Sequence, residues 1–151
     1  IACGLYSETE IKLINNIAVL YLQNGMHLDS VHVLRQLLAY LDGHTKKLSP
    51  VRVHLPMVLF NYARELCELG YYDESIDAAE RGRKICISYG HYQHLPDLLA
   101  ILAEAYCHKG DMERGIRLYT RAYGLYDVLE DEHNKRLIWN EAKELAGIEL
   151  E

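Results

Sequence analysis

Two asparagines and an arginine stand out in this 151-residue chain as groups able to recognise another molecule. Asn16 and Asn61 each lie nine residues before a glycine, Gly25 and Gly70, while Ile101 holds that place before Gly110. A carboxamide carries one acceptor and two donors, so it pairs with a peptide unit as another backbone would. Arg64 follows Asn61 by three residues, which puts the two on nearly the same side of a helix. Its planar fork matches a carboxylate. Plainer roles stay open beside these. The asparagines could be solvated or tie neighbouring helices together, and Arg64 could pair with Glu68 or Glu104.

Other chemistry is thinly represented. His91 and His94, with Cys107 and His108, form the one cluster resembling metal ligands. A closed site needs four partners with supporting hydrogen bonds. Gly90 and Pro96 flank the histidines and disfavour a regular helix there, so solvated loop histidines are the better reading. No Gly-rich phosphate loop, nucleophile elbow or H-E-x-x-H occurs. The carboxylates follow solvated helix faces, and Glu130-Asp131-Glu132 reads as charge at a helix start. We therefore expect no enzymatic activity, no cofactor and no bound metal.

Composition narrows the classes further. Half the residues are hydrophobic and a quarter charged, as in a folded domain. The net charge of −6 argues against the chain itself gripping nucleic acid, which needs a basic face. No apolar run reaches the ~18 residues of a membrane span, and no signal-peptide pattern opens the chain. Cys3, Cys67, Cys86 and Cys107 are far apart and three sit in apolar helical patterns. They are expected to be reduced core residues of a cytoplasmic protein. Twelve tyrosines suit packed helix pairs and half-wet grooves. The chain opens on Ile1, and we expect it to be a fragment of a longer protein.

Apolar spacing and turn signals place these residues on helices. Ser7 and Glu10 form a capping box, followed by Ile11, Ile14, Ala18, Tyr21 and Leu22 at helical spacing. Asn24-Gly25 ends that helix. A second helix from near Leu28 buries Val31, Leu34, Leu37, Leu38 and Leu41 and breaks at Asp42-Gly43-His44-Thr45. Ser49-Pro50 signals the next start, and Pro56 either ends a short segment or kinks the helix. Helices then run to Gly70, from Asp73 to Tyr89, from about Leu98 to Gly110, and from Asp111 through Tyr126. A last one starts at Asp131-Glu132.

Around Gly25, Gly70 and Gly110 the residue types repeat. Four residues before stand Tyr21, Leu66 and Tyr106; seven before, Ala18, Ala63 and Ala103. Two after stand His27, Tyr72 and Met112; five after, Ser30, Ser75 and Gly115; twelve after, Leu37, Gly82 and Ala122. The small residues before and after each turn would face each other where antiparallel helices approach closely. The pattern resembles the tetratricopeptide repeat over nearly the whole chain. The first unit departs from it, with His27 and Ser30 where Tyr and Ala are usual. The spacings of 45 and 40 residues exceed the usual 34. The resemblance implies an all-α, tetratricopeptide-like α-α superhelix of about seven helices and no sheet. It would be a single domain over 1–151, with repeats at about 8–43, 50–90 and 95–130. A capping helix at 131–148 would be anchored by Trp139.

In tetratricopeptide arrays the first helix of each pair lines a concave groove. By that resemblance Asn16, Val19, Gln23, Phe60, Asn61, Arg64, Glu68, Asp97, Glu104 and His108 face the groove. An Asn in the register of Asn16 and Asn61 often bonds the backbone of a bound extended peptide. The long units, the Asn-x-Ala helices and the capping helix resemble the C-terminal domains of Rgg/PlcR-type peptide-sensing transcriptional regulators in particular. Ile101 departs from that pattern. The resemblance implies a short linear peptide or protein segment as ligand, a homodimer, and DNA contact only through a helix-turn-helix domain missing from this chain. It implies no membrane partner. An interaction scaffold without a transcriptional role is the alternative.

Overall fold

The computed structural model of the chain describes residues 6–44 and 53–151. Its helices are α1 (Glu8–Gln23), α2 (His27–His44), α3 (Leu55–Glu68), α4 (Tyr72–Tyr89), α5 (Leu95–His108), α6 (Met112–Val128) and α7 (Glu132–Ala146). A 3-10 turn at Tyr92–His94 leads into α5. No strand occurs among the described residues, and none of their helices is long and apolar enough to cross a membrane.

Local signals set most boundaries. The Ser7–Glu10 capping box is formed: Ser7 accepts from the Glu10 amide at 3.2 Å, and Glu10 Oε2 accepts from the Ser7 amide at 2.7 Å. Two boundaries differ from the sequence expectation. Helix α2 continues through Asp42 and Gly43 to His44. A helical glycine costs only about 1 kcal/mol, less than burying Leu37, Leu38 and Leu41 on that helix contributes. Pro56 sits in the first turn of α3, where its missing N–H costs nothing, so it opens the helix rather than kinking it. Ser49, Pro50 and Cys3 lie outside the described residues.

The three expected turns share one geometry. Gly25, Gly70 and Gly110 adopt φ of +72°, +82° and +89°, a left-handed conformation that favours glycine. The amide after each reaches back to the carbonyl of Tyr21, Leu66 or Tyr106, at 2.9, 2.8 and 2.9 Å. Gly90 closes α4 the same way. The turn from α6 to α7 repeats the geometry without glycine: Glu130 takes φ +57°, and the Asp131 amide bonds Tyr126 O at 2.9 Å.

Close approach within each pair follows from the small residues. Ser30 Oγ donates to Ala18 O at 2.9 Å, and Ser75 Oγ donates to Ala63 O at 2.7 Å. In the third pair Gly115 replaces the serine. A Cβ there would collide with Cys107 Sγ and lie 3.1 Å from Ala103 O. Gly82 packs its bare backbone against the Leu98 side chain, joining α4 to α5.

One apolar core runs through the array, from Ile11 through Leu34, Leu59, Ala79, Leu102 and Tyr119 to Ala142. Each odd helix touches the next odd helix, α1 to α3, α3 to α5 and α5 to α7. The even helices pack on their odd neighbours and stand further from one another. The array therefore curves, with the odd helices on its inner face. Beyond α7 the chain doubles back: Trp139 Nε1 donates to Leu150 O at 3.1 Å, and Leu150 is buried.

Candidate functional site

The inner face is built from α1, α3, α5 and α7. Its upper half centres on Asn61. This residue is buried, 7% exposed, and its Nδ2 donates to Asn15 Oδ1 at 2.9 Å. Arg64 Nη2 donates to Asn61 Oδ1 at 3.3 Å. The Arg64 guanidinium stands 5.4 Å from the Phe60 ring centroid, a cation–π distance. Arg64 Nε is buried and donates to no protein atom. Asn61 thus ties α1 to α3 and holds its arginine, while keeping one N–H and one lone pair.

Asn16 lies one residue from this bond but is exposed. It lines a cavity of about 760 Å³ near the N-terminal ends of α1, α3 and α5. Lys12, Met57, His54 and the 91–94 turn complete its wall. His54 Nε2 lies 2.9 Å from Glu8 Oε1. Val19 is half-buried and Gln23 exposed. Asp97 accepts from Tyr126 Oη at 2.5 Å, so it links α5 to α6. Among the described residues no group of three or more His, Cys, Asp or Glu is placed to hold a metal ion.

The lower half is acidic. Glu68, Glu104 and Glu141 come from three successive odd helices and feel one another's charge. Burial, then the Glu68 charge, pushes the Glu104 carboxyl above its ordinary range. Burial raises Glu141 to about 7 despite the hydrogen bond from Tyr119 Oη. His108 lies 3.9 Å from Glu104 and stacks on Tyr72, with ring centroids 4.9 Å apart. Burial, then Glu104, holds the Cys67 thiol well above its usual range, which favours the protonated thiol. Beside the cluster, Glu65 is 1% exposed. Its Oε2 meets His27 Nδ1 at 3.0 Å, while Oε1 has no protein partner. Burial raises its pKa.

The structure thus brings Phe60, Asn61 and Arg64 together, and Glu68, Glu104 and His108 together. The sequence patterns do not single out Asn15, Glu65 and Glu141. A signal for Asn15 is present all the same: it stands ten residues before Gly25, as Phe60 does before Gly70. Glu65 and Glu141 look like solvated helix carboxylates in sequence, and only the packing of neighbouring helices buries them.

Known proteins share the fold of this array. A family model described as the RNPP family C-terminal domain matches residues 2–145. No curated protein matches the chain. Two solved structures of a putative kinesin light chain of Podosopora anserina, with nearly identical TPR-like repeats, have the same fold. One has a TM-score of 0.75 at 19% identity, over 92% of this chain and 66% of that one. The other, a single-substitution form of the same protein, has a TM-score of 0.75 at 18% identity, over 94% and 68%. This chain thus spans about two thirds of their length. The helical pairs and the match across nearly the whole array place the chain in the RNPP family, as its C-terminal domain, with a tetratricopeptide-like fold.

Proposed function

We propose that the inner face binds a short linear peptide in extended form, as the sensing domain of a transcriptional regulator. The observation that carries this is the row of polar groups across successive odd helices. Asn15, Asn61 and Arg64 lie at one end, Glu68, Glu104 and Glu141 at the other. Such a row offers donors and acceptors to a peptide backbone, and carboxylates to a basic side chain or terminal amine. Asn61 keeps hydrogen-bonding capacity, and Arg64 Nε is buried without a protein acceptor. An unmet buried donor of this kind favours a ligand acceptor.

Peptide binding would bias the array between two curvatures only as far as the peptide prefers one of them. Transmission to DNA would pass through a helix-turn-helix domain outside this chain. A homodimer and a cytoplasmic setting belong to the same reading. The test is selection from a random linear peptide library on the immobilised chain, followed by calorimetry of the recovered sequences. One-to-one binding that weakens by about 1–3 kcal/mol in Asn61→Ala supports the proposal. Recovered peptides that bind Asn61→Ala and Glu104→Gln as tightly as the wild type would overturn it.

A further inference from the structure

The outer face carries a feature that peptide binding at the inner face does not use. Between α4 and α6, over the outer side of α5, lies an open cleft of about 370 Å³. Its floor is Leu99, Leu118 and Tyr106; its rim is Arg83, Arg114, Arg117 and Arg121, with Glu80 the one carboxylate. The Arg114 guanidinium sits 4.6 Å from the Tyr106 ring centroid and meets Asp111 at 3.5 Å, which fixes it over the floor. Arg83 is tied to Glu80 at 2.8 Å. Arg117 meets Glu113 only at 3.6 Å, with both side chains mostly in solvent. Arg121 has no ion-pair partner among the described residues.

The repeat supplies an internal control. Arg114, Arg117 and Arg121 lie four, seven and eleven residues after Gly110. The same positions after Gly70 hold Glu74, Asp77 and Arg81. Arg35 and Leu38 stand where Glu80 and Arg83 stand one unit later. The hollow between α2 and α4 is lined by one arginine and one carboxylate, Arg35 and Glu74, which approach at 4.0 Å. The fold therefore forms an outer hollow there without an arginine rim. The lining of the α4–α6 cleft holds four arginines and one carboxylate, in a chain of net charge −6. At its edge Asp111 and Glu113 meet Arg114 and Arg117 at 3.5 and 3.6 Å, which leaves Arg121 as the unpaired cation of the rim among the described residues.

We propose that this cleft docks an acidic, extended polypeptide segment of a partner protein. Arg114 to Arg121 rises roughly 10 Å along α6. An extended chain advances about 3.3 Å per residue and alternates its side chains. Carboxylates two residues apart, about 6.6 Å, therefore come within reach of successive arginines. Arginine forks match carboxylates in two-pronged pairs. A polypeptide fits better than a nucleic acid. The floor is apolar, Glu80 interrupts the rim, and the surrounding surface lacks the broad basic face that phosphate backbones require.

The probe is a fluorescein-labelled peptide of alternating glutamate and leucine, monitored by fluorescence anisotropy with the whole chain. Saturable binding, weakened at least tenfold in the Arg117→Glu, Arg121→Glu double variant, is expected. Lys84→Glu/Arg136→Glu changes net charge equally outside the cleft and should bind as the wild type does. These side chains are exposed, and an unchanged circular dichroism spectrum confirms the fold. Three outcomes overturn the proposal: no saturable binding, equal weakening in both double variants, or equal affinity for duplex DNA.

Discussion

Protonation of Glu141 contributes to how stability depends on pH. Burial pushes this carboxyl from its ordinary 4.5 to about 7. The folded state therefore holds a proton that the unfolded state has already lost between about pH 4.5 and 7. The favourable contribution is complete below the unfolded value and disappears as pH rises through the folded one. A change of this size corresponds to roughly 3 kcal/mol at about 1.4 kcal/mol per unit. Glu141 still meets some water, which screens the effect, so about 1–2 kcal/mol is expected. Glu141→Gln keeps the shape and the oxygen that accepts from Tyr119, but carries no charge. Urea unfolding of both proteins at about pH 4 and pH 8.5, below the unfolded value and above the folded one, isolates the Glu141 contribution, because the other titrating groups are shared. The two should agree at the acid pH, and the glutamine variant should be the more stable at the alkaline one. A difference that is independent of pH, or a wild type that gains on the variant as pH rises, would show that Glu141 is not held protonated by burial.

The helix contacts set further expectations. Gly115→Ala should cost about 1–3 kcal/mol in thermal unfolding, since its methyl would meet Cys107 and the Ala103 carbonyl. Ser75→Ala should cost about 1 kcal/mol through the lost bond to Ala63 O, measured by chemical denaturation. Glu130→Gly should stabilise by about 0.5–1 kcal/mol, because the residue already holds a left-handed φ of +57°. An unchanged or lower unfolding midpoint would mean that the Glu130 side chain compensates the strain.

The architecture was legible because glycine turns and small residues act locally. Gly25, Gly70 and Gly110 mark their turns by type alone, and the pairing of Ala18 with Ser30 and of Ala63 with Ser75 follows from fixed distances around them. Gly43 misled, since a lone glycine weakens a helix without ending it when the leucines before it are buried. The turn at Glu130 left no glycine to read. Much of the inner face was legible by register, including Asn61, Arg64 and Glu104. What register does not give is which groups neighbouring helices bury. Asn15 and Asn16 are adjacent in sequence, yet one is sealed against α3 and the other faces solvent. Glu65 and Glu141 owe their raised pKa values first to burial in the packed array.

The proposed peptide site lies on the inner face of the odd helices. Amide-resolved NMR of the isotopically labelled chain, titrated with a peptide recovered from the library, reads this directly. Binding there predicts shifts concentrated on α1, α3, α5 and α7, with Asn15, Asn61, Arg64, Glu104 and Glu141 among the most affected. Shifts confined to α2, α4 and α6 would contradict it.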